Sequence, residues 1–411
     1  MRNLLLSSLL LLAFPAVHAQ FNHRLDAIQE IQQGDIQLQL GNSEQALLRY
    51  TTAIQMDADF ADAYMKRAAL LSRLGQNTQA MADLDRALEL NPYSEYIFDR
   101  RAKVKLLMND LKGAEGEWDR ALALQPYDDQ LREGKVDALL IVGRPEAALV
   151  DLDSLILHTP HDPLLHLKRG VALLELEDQN GALIAFDQAL RHAPRMALAH
   201  DLRGLALMRQ GRWSDALIAL DQAVALDPSC DLALYNRGLV HSNLGHRELA
   251  ARDMNKALEL SQDQAHIYFQ RALMRKRDGD LNGARADYDR ALELAPDYLE
   301  AQYNRSFVRK QLGDHAGALA DVDRTLRTAP EDPDAWNMKG NLHLLYGEID
   351  EAIDCFDRAI ALNDTLAAAW FNRGIAHHIS YQPEPGCRDL RRSAELGSTK
   401  ATDALTFFCA F

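Results

Sequence analysis

Apolar residues recur along most of this chain at the spacing of an α-helix. Residues 80–90 (AMADLDRALEL) and 284–294 (ARADYDRALEL) place apolar side chains at positions i, i+3, i+4 and i+7, the pattern of a helix with one apolar face. Such segments are separated by a glycine or asparagine, which ends a helix in the left-handed conformation, or by a proline, which cannot continue one. The pattern therefore predicts an all-α chain of helix, short turn, helix and loop.

The helical pattern repeats every 34 residues without an insertion. One column is alanine in ten successive copies: Ala46, Ala80, Ala114, Ala148, Ala182, Ala216, Ala250, Ala284, Ala318 and Ala352. Glycine or alanine lies 12 positions before most of these alanines, with Val136 and Ser306 in the remaining copies, and a small side chain there lets the two helices of a copy approach closely. The turn residue is usually glycine or asparagine, but Glu177 and Tyr381 replace it in two copies, and Gly386 replaces the alanine in the last copy. These columns predict a repeat structure rather than one globular core.

Several segments resemble the tetratricopeptide repeat family, whose period is also about 34 residues. YNRG at residues 235–238 and WFNRG at residues 370–374 carry the resemblance most clearly. It implies a right-handed α-solenoid of about eleven helix-turn-helix units, followed by a short capping helix at residues 401–411. The expected units are 27–60, 61–94, 95–128, 129–162, 163–196, 197–230, 231–264, 265–298, 299–332, 333–366 and 367–400.

The N-terminus has the composition of a secretory signal peptide. Arg2 precedes an apolar run, and Val17, His18 and Ala19 form a small-residue cleavage site before Gln20. We therefore expect residues 1–19 to be removed and residues 20–26 to form a lead-in. The mature protein is expected to be periplasmic or secreted, with no integral membrane segment. A bacterial envelope is the favoured location, while a eukaryotic secretory route and an uncleaved anchor stay open.

The chain has four cysteines, and export makes a disulfide chemically possible. Cys387 opens the second helix of the last unit, and Cys409 lies near the C-terminus. If the tail folds back as an antiparallel helix, the two sulfurs can meet, so we expect a Cys387–Cys409 disulfide. The alternative is two buried free thiols. Cys230 and Cys355 have no obvious mates.

A basic residue precedes the small column in ten successive copies, and an acid follows it 18 positions later in most of them. An anion-binding stripe would not need matching acids, so we expect a structural ladder in which each base pairs with an acid of its own hairpin. The ladder residues are Arg67, Asp85, Arg101, Asp119, Arg169, Asp187, Arg203, Asp221, Arg271, Asp289, Arg305 and Asp323. Where the acid column fails, at Asn255 and Arg391, an acid stands two residues earlier.

In the tetratricopeptide family the first helices line a concave groove, and here their fifth column is aromatic in the C-terminal half. Rings bury apolar side chains, and neighbouring carboxamides can bind an extended backbone, so a polypeptide ligand is expected. The candidate binding residues are the rings Tyr235, Phe269, Tyr303 and Phe371, the amides Asn236, Gln270, Asn304 and Asn372, and a positive rim of Arg209, Lys276, Arg277 and Lys310. The alternative is that the rings only pack against the neighbouring hairpin.

No sequence motif for catalysis is found. The glycines belong to the turn and contact columns, and no GxSxG motif is present. His158, His161 and His166 straddle a loop rather than sharing a helix face, so we expect no metal and no cofactor. The net charge of −15 argues against a nucleic-acid partner, because phosphate binding needs positive potential.

We therefore expect a non-catalytic scaffold or adaptor that binds a polypeptide partner of unknown identity on the concave surface. Two alternatives stay open, namely an accessory or regulatory subunit of an envelope or secretion complex, and a glycan-binding module. The apolar tail with Leu405, Phe407, Phe408 and Phe411 is expected to cover the last hairpin. Docking of this tail to another subunit is the alternative.

Overall fold

The computed structural model describes residues 23–409, where helices alternate with short turns and no strand occurs. The expected signal peptide at residues 1–19 lies outside the described residues, as do residues 20–22 of the lead-in and Phe411 of the tail. The helices are α1 (23–39), α2 (Ser43–Met56), α3 (Ala61–Arg73), α4 (Asn77–Leu90), α5 (Glu95–Leu107), α6 (Leu111–Leu124), α7 (Asp129–Ile141), α8 (Pro145–His158), α9 (Pro163–Glu175), α10 (Gln179–His192), α11 (Ala197–Arg209), α12 (Trp213–Leu226), α13 (Asp231–Asn243), α14 (Arg247–Leu260), α15 (Ala265–Arg277), α16 (Leu281–Leu294), α17 (Leu299–Gln311), α18 (His315–Thr328), α19 (Pro333–Tyr346), α20 (Ile349–Leu362), α21 (Ala367–Ile379), α22 (Pro383–Glu395) and α23 (Thr399–Phe408).

From α3 to α22, each odd-numbered helix packs on the even-numbered helix that follows it, forming a hairpin. The turn of each hairpin has one residue with positive φ, which is a glycine in most copies, such as Gly347 at 77°. Asn109, Glu177 and Tyr381 adopt the same conformation, with φ of 62°, 58° and 60°. The hairpin therefore imposes this turn even where the sequence offers no glycine.

The small column allows the two helices of a hairpin to approach because a large residue stands opposite it, 16 positions later. A Cβ added at Gly170 would lie 2.3 Å from Phe186, and one added at Gly340 would lie 2.5 Å from Phe356. The alanine column is buried throughout, and both large side chains are fully inaccessible to solvent. Each hairpin thus contributes one small and one large layer to the core of its unit, and the fold is an all-α repeat solenoid.

The chain divides into two compact units, Met1–Pro194 and Arg195–Phe411. In the N-terminal unit, the described residues form five hairpins, from α1 to α10. The C-terminal unit has six hairpins, from α11 to α22, followed by the single helix α23. Within residues 23–409, no helix is long and apolar enough to cross a membrane.

Helix α23 begins at Thr399, two residues before the expected capping helix. It begins there because the Ser398 hydroxyl accepts a hydrogen bond from the Ala401 amide at 3.3 Å and so caps the first turn. Its apolar face packs on α22, where Leu390, Ala401 and Ala404 form a small buried cluster. Phe407, by contrast, is 82% exposed. The tail therefore covers the last hairpin with only part of its apolar surface.

Candidate partner-binding surfaces

The basic column does not pair as the sequence predicted, because its bases bridge two hairpins. Arg305 donates two hydrogen bonds to Asp321, 16 residues later in its own hairpin, at 2.8 and 2.6 Å. Its remaining nitrogen donates to Asp289, 16 residues earlier in the preceding hairpin, at 2.7 Å. The expectation that Asp289 and its column pair within their own hairpin is therefore wrong.

The same two-sided pairing recurs within both units. Pairs with the acid of the same hairpin are Arg67–Asp83, Arg101–Glu117, Lys135–Asp151, Arg237–Asp253, Arg271–Asp287, Arg305–Asp321 and Arg373–Asp389. Pairs with the acid of the preceding hairpin are Arg101–Asp85, Lys135–Asp119, Arg169–Asp153, Arg237–Asp221, Arg305–Asp289, Lys339–Asp323 and Arg373–Asp357. Of the other ladder residues, Asp187 lies on α10 and Arg203 on α11.

Helix geometry explains why each base pairs with acids of two different hairpins. Two residues along an α-helix are separated by about 200° of rotation, so acids 16 and 18 positions after the base point to opposite sides of the second helix. The acid 16 positions after the base faces the first helix of its own hairpin. The acid 18 positions after the base faces the first helix of the next hairpin. The in-hairpin acids are nearly buried, as for Asp321 with 4% of its side chain exposed. These paired bases are not available to an anionic ligand.

The four predicted rings differ in burial, and only Phe269 lies in the core, 8% exposed, with its ring 4.8 Å from that of Tyr298. Tyr235 is half-buried, and its ring meets His266 edge-on at 4.9 Å. Tyr303 is half-buried against the α18–α19 cluster, and Phe371 is half-buried against the cluster under α23. Phe269 is thus a packing residue, whereas the other three rings keep some accessible surface.

The predicted amides mostly connect hairpins to one another. Asn236 is buried and donates to Asp201 of the preceding hairpin at 2.9 Å, and Asn372 donates to Asn337 at 2.8 Å. Burial raises the pKa of Asp201, although the hydrogen bond from Asn236 opposes this shift. Gln270 is half-buried on α15. Asn236 and Asn372 are therefore engaged within the protein and do not face a ligand.

The positive rim contains one cluster with unusual electrostatics. Lys276 and Lys310 place their ammonium groups 5.3 and 5.6 Å from the centre of the Phe307 ring, and Lys276 also donates to the Asn304 side chain at 2.6 Å. Burial lowers the pKa of both lysines. Within residues 23–409, no carboxylate lies within 4.0 Å of either ammonium.

The two other rim residues do not contact the Phe307 ring in the described structure as Lys276 and Lys310 do. Arg277 is exposed and donates to Ser242 of the preceding hairpin at 3.0 Å, and Arg209 is exposed at the end of α11. The structure therefore selects Lys276 and Lys310 from the predicted rim and places them beside Phe307, which gives a site with cationic and apolar character. Phe307 was not among the predicted residues, because it lies outside the fifth column.

A cavity in the N-terminal unit was not predicted. It measures about 980 Å³ and lies against the first helices α1, α3 and α5. Its apolar lining includes Ile28, Ile31, Met65 and Leu70, and Tyr96 stands at its edge, 63% exposed. A volume of this size suits several side chains of a peptide.

The lining of this cavity has more basic than acidic residues: it includes Arg24, Lys66, Arg73, Arg100 and Lys103, against Asp35 and Asp62. Lys66 and Lys103 are neutralised by Asp35 at 2.8 Å and by Asp99 at 2.6 Å. Arg73 and Arg100 are exposed, and among the described residues no carboxylate lies within 4.0 Å of their guanidinium groups. The signal was present in the sequence, because the column that holds amides in the C-terminal half holds Lys66 and Arg100 here.

The four cysteines form one disulfide and two thiols. Cys387 and Cys409 are joined in a disulfide, with their Cα atoms 5.8 Å apart, while Cys230 and Cys355 are free. Burial raises the pKa of the Cys355 thiol to about 11.

Of the three loop histidines, His166 contacts the Pro160 carbonyl at 2.8 Å and His158 contacts Asp129 at 3.0 Å, while His161 faces the His192 ring. The three do not converge on a common point.

Comparison with known proteins gives the family. Sequence models described as tetratricopeptide repeat match residues 31–95, 133–197, 167–231, 202–265, 265–298 and 333–366, together more than half of the chain. No curated protein matches the chain.

Solved structures with the same repeat are similar at low identity. A tetratricopeptide repeat protein from Parabacteroides merdae is 20% identical, with 59% of this chain and 97% of that chain covered and a TM-score of 0.46. Cut9, from a Cut9–Hcn1 complex, is 13% identical over 92% of this chain and 89% of its own, with a TM-score of 0.48. YrrB, described as having an unusual peptide-binding site, is 25% identical over 45% of this chain and 95% of its own, with a TM-score of 0.37.

Tetratricopeptide repeats are generally non-catalytic scaffolds that bind protein or peptide partners. Both units contain matched repeats, helical hairpins and the columns of small residues. The chain belongs to the tetratricopeptide repeat family.

Proposed function

We propose that this protein is an exported, non-catalytic adaptor that binds a segment of a protein partner in the cavity of its N-terminal unit. The observation that carries the proposal is the cavity of about 980 Å³, which combines an apolar lining with Arg73 and Arg100, two arginines that have no carboxylate within 4.0 Å in the described part of the chain. The signal-peptide composition of residues 1–19 supports export, and the periplasm or the exterior of a bacterial cell is the proposed location.

The chemistry of the cavity defines the partner segment. Its lining from α1 and α3 accepts aliphatic or aromatic side chains, and its unpaired arginines on α3 and α5 favour carboxylates. Since the whole chain has a net charge of −15, this basic lining is a local exception that attracts an acidic segment against the general repulsion. An acidic peptide with one or two large apolar residues fits both features.

The Lys276–Phe307–Lys310 cluster is the proposed second contact, in the C-terminal unit. An unpaired ammonium that is partly desolvated gains more from a carboxylate than a fully solvated one, because the effective dielectric constant is lower. The neighbouring half-buried Tyr303 offers apolar surface beside it. The ligand at this cluster is therefore proposed to be acidic as well. It need not belong to the same continuous segment of the partner as the ligand in the N-terminal cavity.

Charge reversal at the cavity tests the proposal. Fluorescent peptides that combine glutamate with leucine or phenylalanine are titrated by anisotropy, beside peptides in which lysine replaces glutamate. We expect the acidic peptides to bind and the basic ones not to bind. Arg73→Glu with Arg100→Glu should weaken binding at least about 10-fold, since two favourable charge contacts become repulsive.

The matched control is Arg324→Glu with Arg358→Glu, which makes the same change of charge at exposed positions of the second helices α18 and α20. Equal weakening by the control would show a general charge effect and would contradict the proposed site. Lys276→Glu with Lys310→Glu is measured in parallel for the second contact. Export is tested separately by N-terminal sequencing of protein recovered from cells, which should begin at Gln20.

A further inference from the structure

Three atoms that bind metals well meet at the C-terminal end of the protein. His378 Nε2 lies 3.7 Å from Cys387 Sγ and 3.8 Å from Cys409 Sγ. Within residues 23–409, this is the one group of three or more His, Cys, Asp or Glu residues whose ligand atoms all lie within 4.8 Å of one another. The three residues come from α21, α22 and the end of α23, so that three separate segments converge on the group.

The room for the imidazole comes from a break in the repeat pattern. The alanine column, unbroken from Ala46 to Ala352, changes to glycine at Gly386. A Cβ at this position would lie 2.7 Å from His378 Cδ2 and 2.9 Å from His378 Nε2. The same Cβ would lie 2.9 Å from the Gly374 carbonyl oxygen, so an alanine would press on both the imidazole and the facing backbone of α21. The side chain of His378 is the more easily displaced of the two, and it would move away from the two sulfurs. The glycine stands in the copy that also has Cys387 as the next residue, so the departure from the repeat builds this cluster.

The spacing fits a tetrahedral ion. With a Zn–N bond of about 2.0 Å and a Zn–S bond of about 2.3 Å, the nitrogen and each sulfur of a zinc site lie about 3.5 Å apart. The observed separations of 3.7 and 3.8 Å are close to this value. Only the two sulfurs are too close together, since the disulfide joins them. Breaking that bond is the one rearrangement the group needs before it can surround an ion.

We propose that, after reduction of the disulfide, His378, Cys387 and Cys409 bind a thiophilic d10 ion, with Zn²⁺ as the preferred case. A dithiol reductant supplies two electrons and two protons, is itself oxidised to a disulfide, and leaves Cys387 and Cys409 as thiols. Zn²⁺ then replaces the two thiol protons, which pass to solvent, and neutral His378 provides its Nε2 lone pair. Water fills the fourth position, as in other sites with three protein ligands.

This arrangement gives α23 two alternative covalent or coordinate links to the last hairpin. In the oxidised protein, the disulfide joins α22 to the end of α23. In the reduced protein, the ion joins the same two sulfurs and adds a link to α21 through His378. Disulfide and metal exclude one another, because both use the two sulfurs.

Cobalt binding to the full chain tests the proposal. The protein is reduced with a phosphine, freed of reductant without oxygen, and titrated with Co²⁺. We expect the reduced wild type to show thiolate-to-cobalt charge-transfer absorption that saturates at one equivalent and disappears when Zn²⁺ is added. The unreduced protein should show none. The control C387S/C409S keeps Cys230 and Cys355, and it should also lack the absorption.

Two further variants separate this site from a pair of thiols that bind metal without the histidine. His378→Phe keeps a ring beside Phe408 but removes the nitrogen ligand, and Gly386→Ala keeps all three ligands but displaces the imidazole. Each should weaken Co²⁺ binding at least about 10-fold while the helical circular dichroism stays unchanged. Reduced wild type that binds no better than C387S/C409S would overturn the proposal. So would His378→Phe with wild-type affinity and spectrum.

Discussion

Asp321 and Asp323 lie two residues apart on α18, yet their surroundings differ greatly. Asp321 accepts hydrogen bonds from Arg305 and Arg309, and only 4% of its side chain is exposed. Asp323 pairs with Lys339 of the next hairpin at 2.8 Å and keeps 40% of its side chain exposed. Burial rather than the presence of an ion pair therefore determines what each carboxylate contributes to stability.

Replacing these two residues in turn tests the assignment of partners. Asp321→Ala should lower the free energy of unfolding by about 3 kcal/mol, because it removes the nearly buried carboxylate that Arg305 and Arg309 share and leaves both with more exposed partners such as Asp289. Asp323→Ala should cost less than about 1 kcal/mol, because it removes an exposed pair. Urea unfolding followed by circular dichroism measures both. Equal losses would contradict the division into a buried in-hairpin column and an exposed bridging column.

The sequence predicted that a base column and an acid column would pair, but for most bases it selected the wrong acid. The predicted pairs Arg237–Asp253 and Arg373–Asp389, in the copies where the later acid is missing, are confirmed. The acid column 18 positions after the base is nearly continuous, so it is easily seen. The buried column, 16 positions after the base, is interrupted by Ala185, Ala219 and Cys355, which hides its period. Only the rotation of the helix between the two positions identifies which acid faces inward.

At the scale of the element, the hairpin turn holds one residue in the left-handed conformation whether or not that residue is suited to it. Glu177 has φ of 58° between α9 and α10, where most copies have glycine. For a residue with a Cβ this conformation costs about 1–2 kcal/mol, and glycine avoids most of the penalty. The packing of α9 on α10 therefore overrides the local preference of the chain.

Glu177→Gly is expected to raise the free energy of unfolding by about 1 kcal/mol, since it relieves this strain at an exposed turn. Thermal unfolding monitored by circular dichroism measures the change. Gly143→Ala, at the preceding turn with φ of 71°, serves as the reverse control and should lower the stability. A destabilised Glu177→Gly protein would show that the glutamate side chain has a role that the backbone argument omits.

The hairpins themselves were predictable from the sequence, because small and apolar residues recur at a fixed interval. An exception in one copy therefore does not hide the pattern that the other copies share. The hydrogen-bond partners of the amides were not predictable in this way. Asn236 and Asn372 look like ligand-binding groups in one repeat, but each donates to a polar residue one hairpin earlier, Asp201 and Asn337. Their partners stand 35 positions away, so the pairing is visible only when two columns are read across neighbouring repeats.

At the scale of the whole molecule, a disulfide links the last helix of the C-terminal unit to the hairpin that precedes it. Among residues 23–409, helix α23 packs on α22 and α21, and the disulfide between Cys387 and Cys409 adds a covalent link to this packing. In the chain-entropy description, a bridge that closes a loop of this size contributes about 3 kcal/mol. The N-terminal cavity, by contrast, could not be predicted, because its lining comes from three hairpins at once.

Alkylation under denaturing, non-reducing conditions checks the disulfide in the protein. We expect mass spectrometry to show label on Cys230 and Cys355 only, and on all four cysteines after reduction. A control digestion should recover the peptides containing Cys387 and Cys409 as one linked species. Label on all four cysteines without reduction would rule out the bond.

The two-sided pairing of the basic column has a consequence for how such a chain can change in length. Most 34-residue copies carry a base that pairs with an acid of the copy before it, and an acid that pairs with the base of the copy after it, as Arg305 and Asp323 do. Arg271 is an exception, because it donates to Asn255 of the preceding copy. A duplicated copy therefore arrives with both halves of the connection, and a deleted copy removes both. Recombination can add or lose whole hairpins within a unit while every remaining base keeps a carboxylate, whereas insertions of any other length break the register.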